Sequence, residues 1–253
     1  MIRRFWYGLL DLFLPVRCFI CGAVVGTKHG SLPVCEADIA ALPRLPAPQC
    51  LLCARPLATP GLSPEFDDPH PICGDCRRQT CYQQFTLIPF AYRGSLKKII
   101  ADWKFSGHQQ WGDFLGKLLA DYLLTKLRLE DWDYVTYVPL HEEKLKLRGF
   151  NQAAQLAEAI GEKSGIVPAG LLDKRRQTGA QSELTRKQRL VNLKKAFKPT
   201  RKLAGEKILL VDDIYTTGST LRNASKTILE AGASSVGAVA LTRSIPKNME
   251  HIF

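Results

Sequence analysis

The chain has 253 residues, enough for one large domain or two smaller ones. Hydrophobic residues make up 45% and charged residues 23%, as in an ordinary globular protein, and no stretch is long and apolar enough to span a bilayer, which argues against membrane insertion. A formal net charge of +11 points to an anionic partner: nucleic acid, a phosphorylated metabolite or an acidic membrane surface.

Arg3 and Arg4, followed by an apolar run over residues 5–16, have the outline of a secretory signal. Asp11 interrupts the run, no small-residue cleavage site follows, and Arg17 directly precedes Cys18, so the segment reads as an amphipathic helix packing on the body of a cytoplasmic protein. All eight cysteines lie before position 82. This shift in composition predicts a cysteine-rich unit over residues 1–82 and a second domain over residues 83–253. In the first unit Gly, Pro and Cys punctuate short apolar pieces, as in a small domain held by metal rather than by a large core.

Cys50-x2-Cys53 and Cys73-x2-Cys76 are tight pairs with nineteen residues between them, close to the spacing of a four-cysteine zinc ribbon. Each pair supplies two thiolates from one turn, and two turns close a tetrahedron. Disulfides are the competing reading, which a reducing compartment disfavours. Cys18-x2-Cys21 with Cys35 lacks a fourth cysteine; Asp38 or His29 could complete it. A second zinc at Cys18, Cys21, Cys35 and Asp38 stands against a degenerate site held by packing. Four thiolates leave no open coordination position, so the expected role is structural. Cys81 stands alone and reads as a small apolar core residue.

Beyond the cysteines, residues 85–92 read as a strand and 96–103 as a helix. Phe114, Leu115, Leu118, Leu119, Tyr122 and Leu123 recur at helical spacing and predict a helix over 112–127. A buried strand over 134–139 is followed by a loop and a helix over 151–163. A strand over 208–211, a helix over 219–231 and a strand over 236–242 complete the pattern. Strands alternating with helices predict an α/β fold, a mainly parallel sheet with helices on both faces, whose ligands sit beyond the carboxyl ends of the strands.

At one such end the sequence reads KILLVDDIYTTGST over residues 207–220: an apolar strand, two carboxylates, a hydroxyl-rich loop and a helix start. A helix N-terminus offers unpaired N–H groups and a favourable dipole to an anion, and Gly218 lets the backbone come close. Thr216, Thr217, Ser219 and Thr220 add hydroxyl donors. Asp212 and Asp213, leaving the strand just before the loop, can accept hydrogen bonds from the 2′- and 3′-hydroxyls of a ribose whose 5-phosphate lies in the loop. The bland alternative is a capped helix with solvated acids, but adjacent carboxylates on an apolar strand are costly without a task. The metal-binding strand of a P-loop ATPase also ends in acids, yet the chain has no G-x-x-x-x-G-K-[ST] segment.

The segment over residues 211–220 resembles the phosphoribosyl pyrophosphate signature of type I phosphoribosyltransferases. Together with Arg148-Gly-Phe-Asn-Gln152, Arg176-x-Thr-x-x-Gln181, Arg189-x-x-Asn192 and the upstream cysteine pairs, it is similar to the ComF family, competence-associated phosphoribosyltransferase-like proteins with an N-terminal cysteine domain. The resemblance implies a type I phosphoribosyltransferase-like domain that binds phosphoribosyl pyrophosphate with magnesium. It implies that the loop over residues 139–150 binds the pyrophosphate, with Lys144 and Arg148 as cationic contacts, and that residues 174–181 close over the substrate, bringing Arg176 to the leaving pyrophosphate. On residue chemistry alone, Arg148 could instead pair with a surface carboxylate and Asn151 could simply cap a helix.

Two functions follow. One is a phosphoribosyltransferase acting on an acceptor the sequence does not specify; the other is a non-catalytic module for single-stranded DNA that retains a ribose-phosphate pocket. The resemblance implies a role in handling incoming single-stranded DNA alongside DNA-uptake or recombination proteins. Residues 174–202 carry eleven Lys and Arg against Glu183 alone, suited to a polyanion. Tyr82, Tyr92, Arg93, Trp103 and Lys104 suit stacking and phosphate contact on a single strand, and an ordinary half-buried hairpin and helix equally well.

Overall fold

The protein is described by a computed structural model that covers residues 15–25, 33–57, 70–174, 196–246 and 249. The N-terminal helix expected over residues 5–16 falls outside them but for its last two positions. Two short helices, α1 (Glu36–Ala40) and α2 (Gly74–Arg77), lie in the cysteine-rich part. Then come β1 (Thr86–Leu87), β2 (Phe90–Ala91), α3 (Gly94–Phe105), α4 (Gln110–Leu124), β3 (Tyr134–Tyr137), α5 (Glu142–Arg148), α6 (Gln152–Ser164), β4 (Leu172–Lys174), β5 (Phe197–Pro199), β6 (Lys207–Tyr215), α7 (Ser219–Glu230) and β7 (Ser235–Arg243).

β6 and β7 form the centre of a parallel sheet, with β3 beside β6 and both β1 and β2 beside β7. Alternation along the strands assigns the two faces. Leu209, Val211, Val239 and Leu241 meet Leu96 and Trp103 of α3, Leu115 of α4 and Leu156 of α6. Ile208, Leu210, Val236, Ala238 and Ala240 point the other way, onto Leu221, Ala224 and Ile228 of α7 and onto Cys50, Cys53, Cys73 and Cys76. Near-continuous apolar runs are what a sheet covered on both faces requires, so the expected α/β architecture is the one observed. α4 and α6 approach closely because Gly116 has no side chain: a Cβ there would stand 2.4 Å from that of Ala159.

The cysteine-rich part is hydrogen-bonded to the sheet edge. The amide and hydroxyl of Thr86 on β1 donate to the carbonyls of Leu51 (2.7 Å) and Leu52 (2.9 Å), inside the first Cys-x2-Cys turn. Among the described residues no helix is long and apolar enough to cross a membrane.

Several expected bounds are corrected. The strand read over 85–92 is two short pieces flanking Ile88 and Pro89, each paired with β7; proline has no amide to donate to a ladder. The loop after β3 holds α5, capped by His141 at one end and by left-handed Gly149 (φ 78°) at the other. β4 and β5 form an antiparallel pair with no counterpart in the sequence reading, and they bracket residues 175–195, which lie outside the described residues.

Candidate functional site

β6 does not stop at Val211. It continues through Asp212 and Asp213 to Tyr215, with Asp212 opposite Ala240 and Tyr215 opposite Arg243 of β7, so the acid pair stays within the strand rather than leaving it. On its other side β3 ends early. Its last rung runs from the Val138 amide to the Val211 carbonyl (2.9 Å), and the next would run from the Asp213 amide to the Val138 carbonyl. That carbonyl instead accepts Nδ2 of Asn151 (3.0 Å), while the Asp213 amide donates to Asp212 Oδ1 (2.9 Å). Asn151 Oδ1 meanwhile caps α6 through the Ala153 amide (3.0 Å). A crevice thus opens where β6 outruns β3, at the level of Asp212 and Asp213, whose side chains leave the strand on its two faces.

The carboxylates differ. Asp212 is half-buried, and enclosure of its carboxyl, followed by the neighbouring charge of Asp213, raises its pKa well above the ordinary range. Asp213 forms an ion pair with Lys104 from the end of α3, both side chains being largely buried. Lys174 at the end of β4 lies near enough to Asp212 and Lys144 to feel both: desolvation and then the Lys144 charge lower its pKa, against the pull of Asp212. Two ammonium groups, of Lys104 and Lys174, therefore lie near the acid pair, with Lys144 next to the second of them.

Thr216 and Thr217 are exposed, and the Thr217 and Ser219 hydroxyls lie 3.1 Å apart. Gly218 occupies the N-cap of α7 at φ 74°, a left-handed conformation that side chains rarely adopt. It also rests on Tyr215, since a Cβ at Gly218 would stand 2.1 Å from the phenol oxygen. Gly218 brings no capping side chain and no acid sits in the first turn of α7; the Ser219 amide makes only a long 3.4 Å bond to Thr217 Oγ1, so the helix start still faces an anion favourably. Tyr215 is buried, and its enclosure raises the phenol pKa to about 12.

The loop residues Thr216, Thr217, Gly218, Ser219 and Thr220 follow Asp213 after two intervening residues, and Lys144 lies near Lys174, the lysine that feels Asp212. Arg148 stands on α5, its Nη1 3.2 Å from Gln152 Oε1 and its guanidinium carbon 5.3 Å from the centre of the Phe105 ring. Arg176 lies outside the described residues. Trp103 cannot stack on a nucleic acid: it is fully buried and its indole N–H donates to Gln155 Oε1 (2.9 Å). Leu96, Ile99, Ile100 and Trp103 recur at the spacing of one helix face, and that periodicity was the available signal. Lys104, read as a phosphate contact, is the partner of Asp213. Tyr82 lies 5.7 Å beneath Lys226, and Tyr92 is half-buried against the core.

The cysteines gather as their spacing predicts. The sulfurs of Cys50, Cys53, Cys73 and Cys76 lie within 4.8 Å of one another, all four residues buried. Cys53 and Cys73 are separated by 3.7 Å, close to the edge of about 3.8 Å of a tetrahedron with Zn–S bonds of about 2.3 Å. Burial pushes the Cys76 thiol up, whereas the side-chain hydrogen bond from Cys53 pulls Cys50 down. Cys18, Cys21, Cys35 and Asp38 form a second group, in which one Asp38 oxygen lies 2.9 Å from Cys18 Sγ and 3.1 Å from Cys35 Sγ. Asp38 is thus placed as the fourth member; His29 lies outside the described residues. Both donor sets suit zinc, and as structural ions they would tie loops together.

Comparison with known proteins follows the same division. Residues 146–251 match the phosphoribosyl transferase domain, and residues 9–77 match the double zinc ribbon domain, which supports structural zinc at these clusters. The chain is 28% identical over 239 residues to the DNA utilization protein YhgH of Salmonella typhimurium, spanning 92% of this chain and 100% of that one. It is 35% identical over 156 residues to the competence protein ComFC of Streptococcus pneumoniae (61% of this chain, 66% of the relative). To ComFC of Bacillus subtilis it is 27% identical over 220 residues, covering 83% and 84%. With its cysteine ribbons joined to a parallel-sheet phosphoribosyltransferase-type domain, the chain belongs to the ComF family.

Proposed function

We propose that the crevice at the end of β6 binds phosphoribosyl pyrophosphate with magnesium, and that the protein serves in handling incoming single-stranded DNA in the cytoplasm. The observation that carries the ligand reading is the start of α7, with left-handed Gly218 at its N-cap and no acid in its first turn, one short hydroxyl-rich loop after two strand carboxylates: an anion site beside two acceptors for sugar hydroxyls. The 5-phosphate takes the first amides of α7, displacing the long Ser219 to Thr217 bond, and the hydroxyls of Thr216, Thr217, Ser219 and Thr220. The ribose hydroxyls donate to Asp212 and Asp213, and Lys104 offsets the charge of Asp213. The pyrophosphate lies toward Lys144 and Arg148, with Arg176 closing over it.

Magnesium suits this donor set of carboxylates and phosphate oxygens, would be held by Asp212 or Asp213 together with the pyrophosphate, and when bound neutralises charge on the leaving group. In a transfer reaction the C1–O bond breaks and a bond from C1 to an acceptor nitrogen forms. The chain's own part is to fix the sugar and to draw charge from the departing pyrophosphate. The names of the relatives, competence and DNA utilization, supply the DNA context. The division at residue 82 then separates a zinc-held platform from the ribose-phosphate domain.

Calorimetry with phosphoribosyl pyrophosphate and magnesium tests the ligand. Asp212→Ala combined with Asp213→Ala should weaken binding at least 100-fold, about 3 kcal/mol, while the protein stays folded. A folded wild-type protein that gives no heat would overturn the reading.

The second function, a module for single-stranded DNA, has its own observation. Phe105, one residue beyond Lys104, is 71% exposed with the Arg148 guanidinium over its ring. An aromatic face beside a fixed cation is the pairing on which bases stack. Phe105→Ala should lower the affinity of a labelled oligonucleotide in fluorescence anisotropy and leave sugar-phosphate binding intact. Equal oligonucleotide affinity in the variant would remove Phe105 from this role.

A further inference from the structure

β7 ends in Arg243, a residue only 4% exposed. Its Nη1 donates to the carbonyl of Cys53, its guanidinium carbon lies 4.7 Å from the centre of the Tyr215 ring, and its Nε has no hydrogen-bond partner among the described residues. Strand pairing fixes this stack, because Tyr215 and Arg243 are register partners. Guanidinium does not give up its charge in a protein, so a buried one needs an anion close by. No described carboxylate pairs with it. The neighbouring anion is the four-cysteine cluster itself, since four thiolates outweigh the charge of one divalent zinc.

The other end of the stack leads to the crevice. The phenol of Tyr215 fills the space under Gly218, where a Cβ would collide with it. Gly218 in turn is the left-handed residue that aims the first amides of α7. One continuous contact path thus runs from the Cys50–Cys53 turn through Arg243 and Tyr215 to the loop proposed to hold the phosphate.

We propose that Arg243 is the counter-ion of the buried metal cluster and, through Tyr215, the positioning residue of the ribose-phosphate loop, so that zinc in the cluster and an anion in the loop strengthen each other's binding. The second half rests on the phosphate reading given above. With the metal in place the Cys53 carbonyl and the local negative charge are fixed, Arg243 stays clamped on Tyr215, and the loop is pre-organised. Without it the guanidinium loses its counter-ion and Tyr215 loses its cover. Linkage makes the effect reciprocal: whatever factor zinc adds to anion affinity, the anion adds to zinc affinity.

The experiment measures transfer of zinc from the full-length protein to a chromogenic chelator, following the slower-released ion of the buried cluster, with and without saturating ribose 5-phosphate. In the wild type the sugar phosphate should strengthen zinc retention about five- to tenfold, the lower part of the range of known couplings. Arg243→Met should lose zinc more readily and lose the coupling. Arg243→Lys, which keeps the charge but not the planar stack, should restore zinc retention while binding ribose 5-phosphate more weakly than wild type. Should Arg243→Met not fold, the wild-type linkage and the lysine variant still decide. If ribose 5-phosphate does not bind wild type at all, the phosphate reading fails by itself, and zinc retention in the two variants continues to test the counter-ion role. Arg243→Met that retains zinc as wild type does, or wild-type retention indifferent to a ribose 5-phosphate that demonstrably binds, overturns the proposal.

Discussion

Two anionic centres flank the end of β6, and the chain settles their charge in different ways. The Cys50, Cys53, Cys73 and Cys76 cluster groups four buried sulfurs, and the cation beside it, Arg243, is held by a backbone carbonyl and a ring rather than by the sulfurs. The Asp212 and Asp213 pair is half-buried and carries its own compensation: one acid held toward its neutral form by burial, the other matched by Lys104. A centre that depends on an external cation is suited to permanent occupation. One that balances itself can bind and release.

The sharpest way to break this contrast is to strip the buried cluster. Chelation of zinc, or Cys50→Ser with Cys53→Ser, should unfold the cysteine-rich part. Structural zinc contributes about 10 kcal/mol or more in small ribbons, well beyond the reserve of a typical domain. Loss of the cooperative melting transition together with loss of zinc in elemental analysis is the expected result.

A smaller effect is expected at the acid pair. Lys104→Ala leaves Asp213 without its partner and should cost about 1–2 kcal/mol, less than a fully buried pair because both groups keep some contact with solvent. Denaturant titration measures it, and added magnesium should recover part of the loss if the crevice takes that ion.

Asp212→Asn should act in the opposite direction. Because the folded state raises the pKa of Asp212, the native protein binds a proton that the unfolded chain releases above the usual carboxylate range, and stability falls as pH rises from there toward the raised native value. Asparagine removes that slope and keeps the Oδ1 that accepts the Asp213 amide, so the variant should gain about 1 kcal/mol near neutral pH while binding less ligand. Thermal melts at pH 4 and pH 8 should converge relative to wild type.

The smallest effect belongs to the outer cluster. Cys21 is exposed and Cys35 and Asp38 are half-buried, so Asp38→Ala should remove about one zinc per chain yet shift the melting temperature of the main transition by only a few degrees. A large shift would place the outer ribbon on a par with the inner one.

How much of this could be read from residues alone depended on distance along the chain. The cysteine ligands and the Asp212 to Thr220 segment lie close together in sequence, and helices such as α4 announce themselves by apolar spacing. α5 did not, since Glu142–Arg148 buries no residue and so carries no periodic stripe. β4 and β5 are three-residue strands joined across a long stretch, below the length at which alternation is visible. Trp103 was readable as core from its helical spacing, yet an aromatic beside a lysine also looks like a nucleic-acid contact. Arg243 was out of reach: its stack on Tyr215 exists only because β6 and β7 pair in one register.

The two ends of the Asn151 amide have a consequence for how substitutions there should be judged. Its oxygen starts α6, a task that aspartate or serine performs as well. Its nitrogen occupies the carbonyl that would otherwise carry the sheet one rung further, onto the Asp213 amide. An ionised aspartate would begin the helix and still leave Val138 without its donor, freeing β3 to zip onward along β6. At the mouth of the crevice the place of the next β3–β6 rung is therefore taken by an Asn151 N–H that no inventory of helix caps would count.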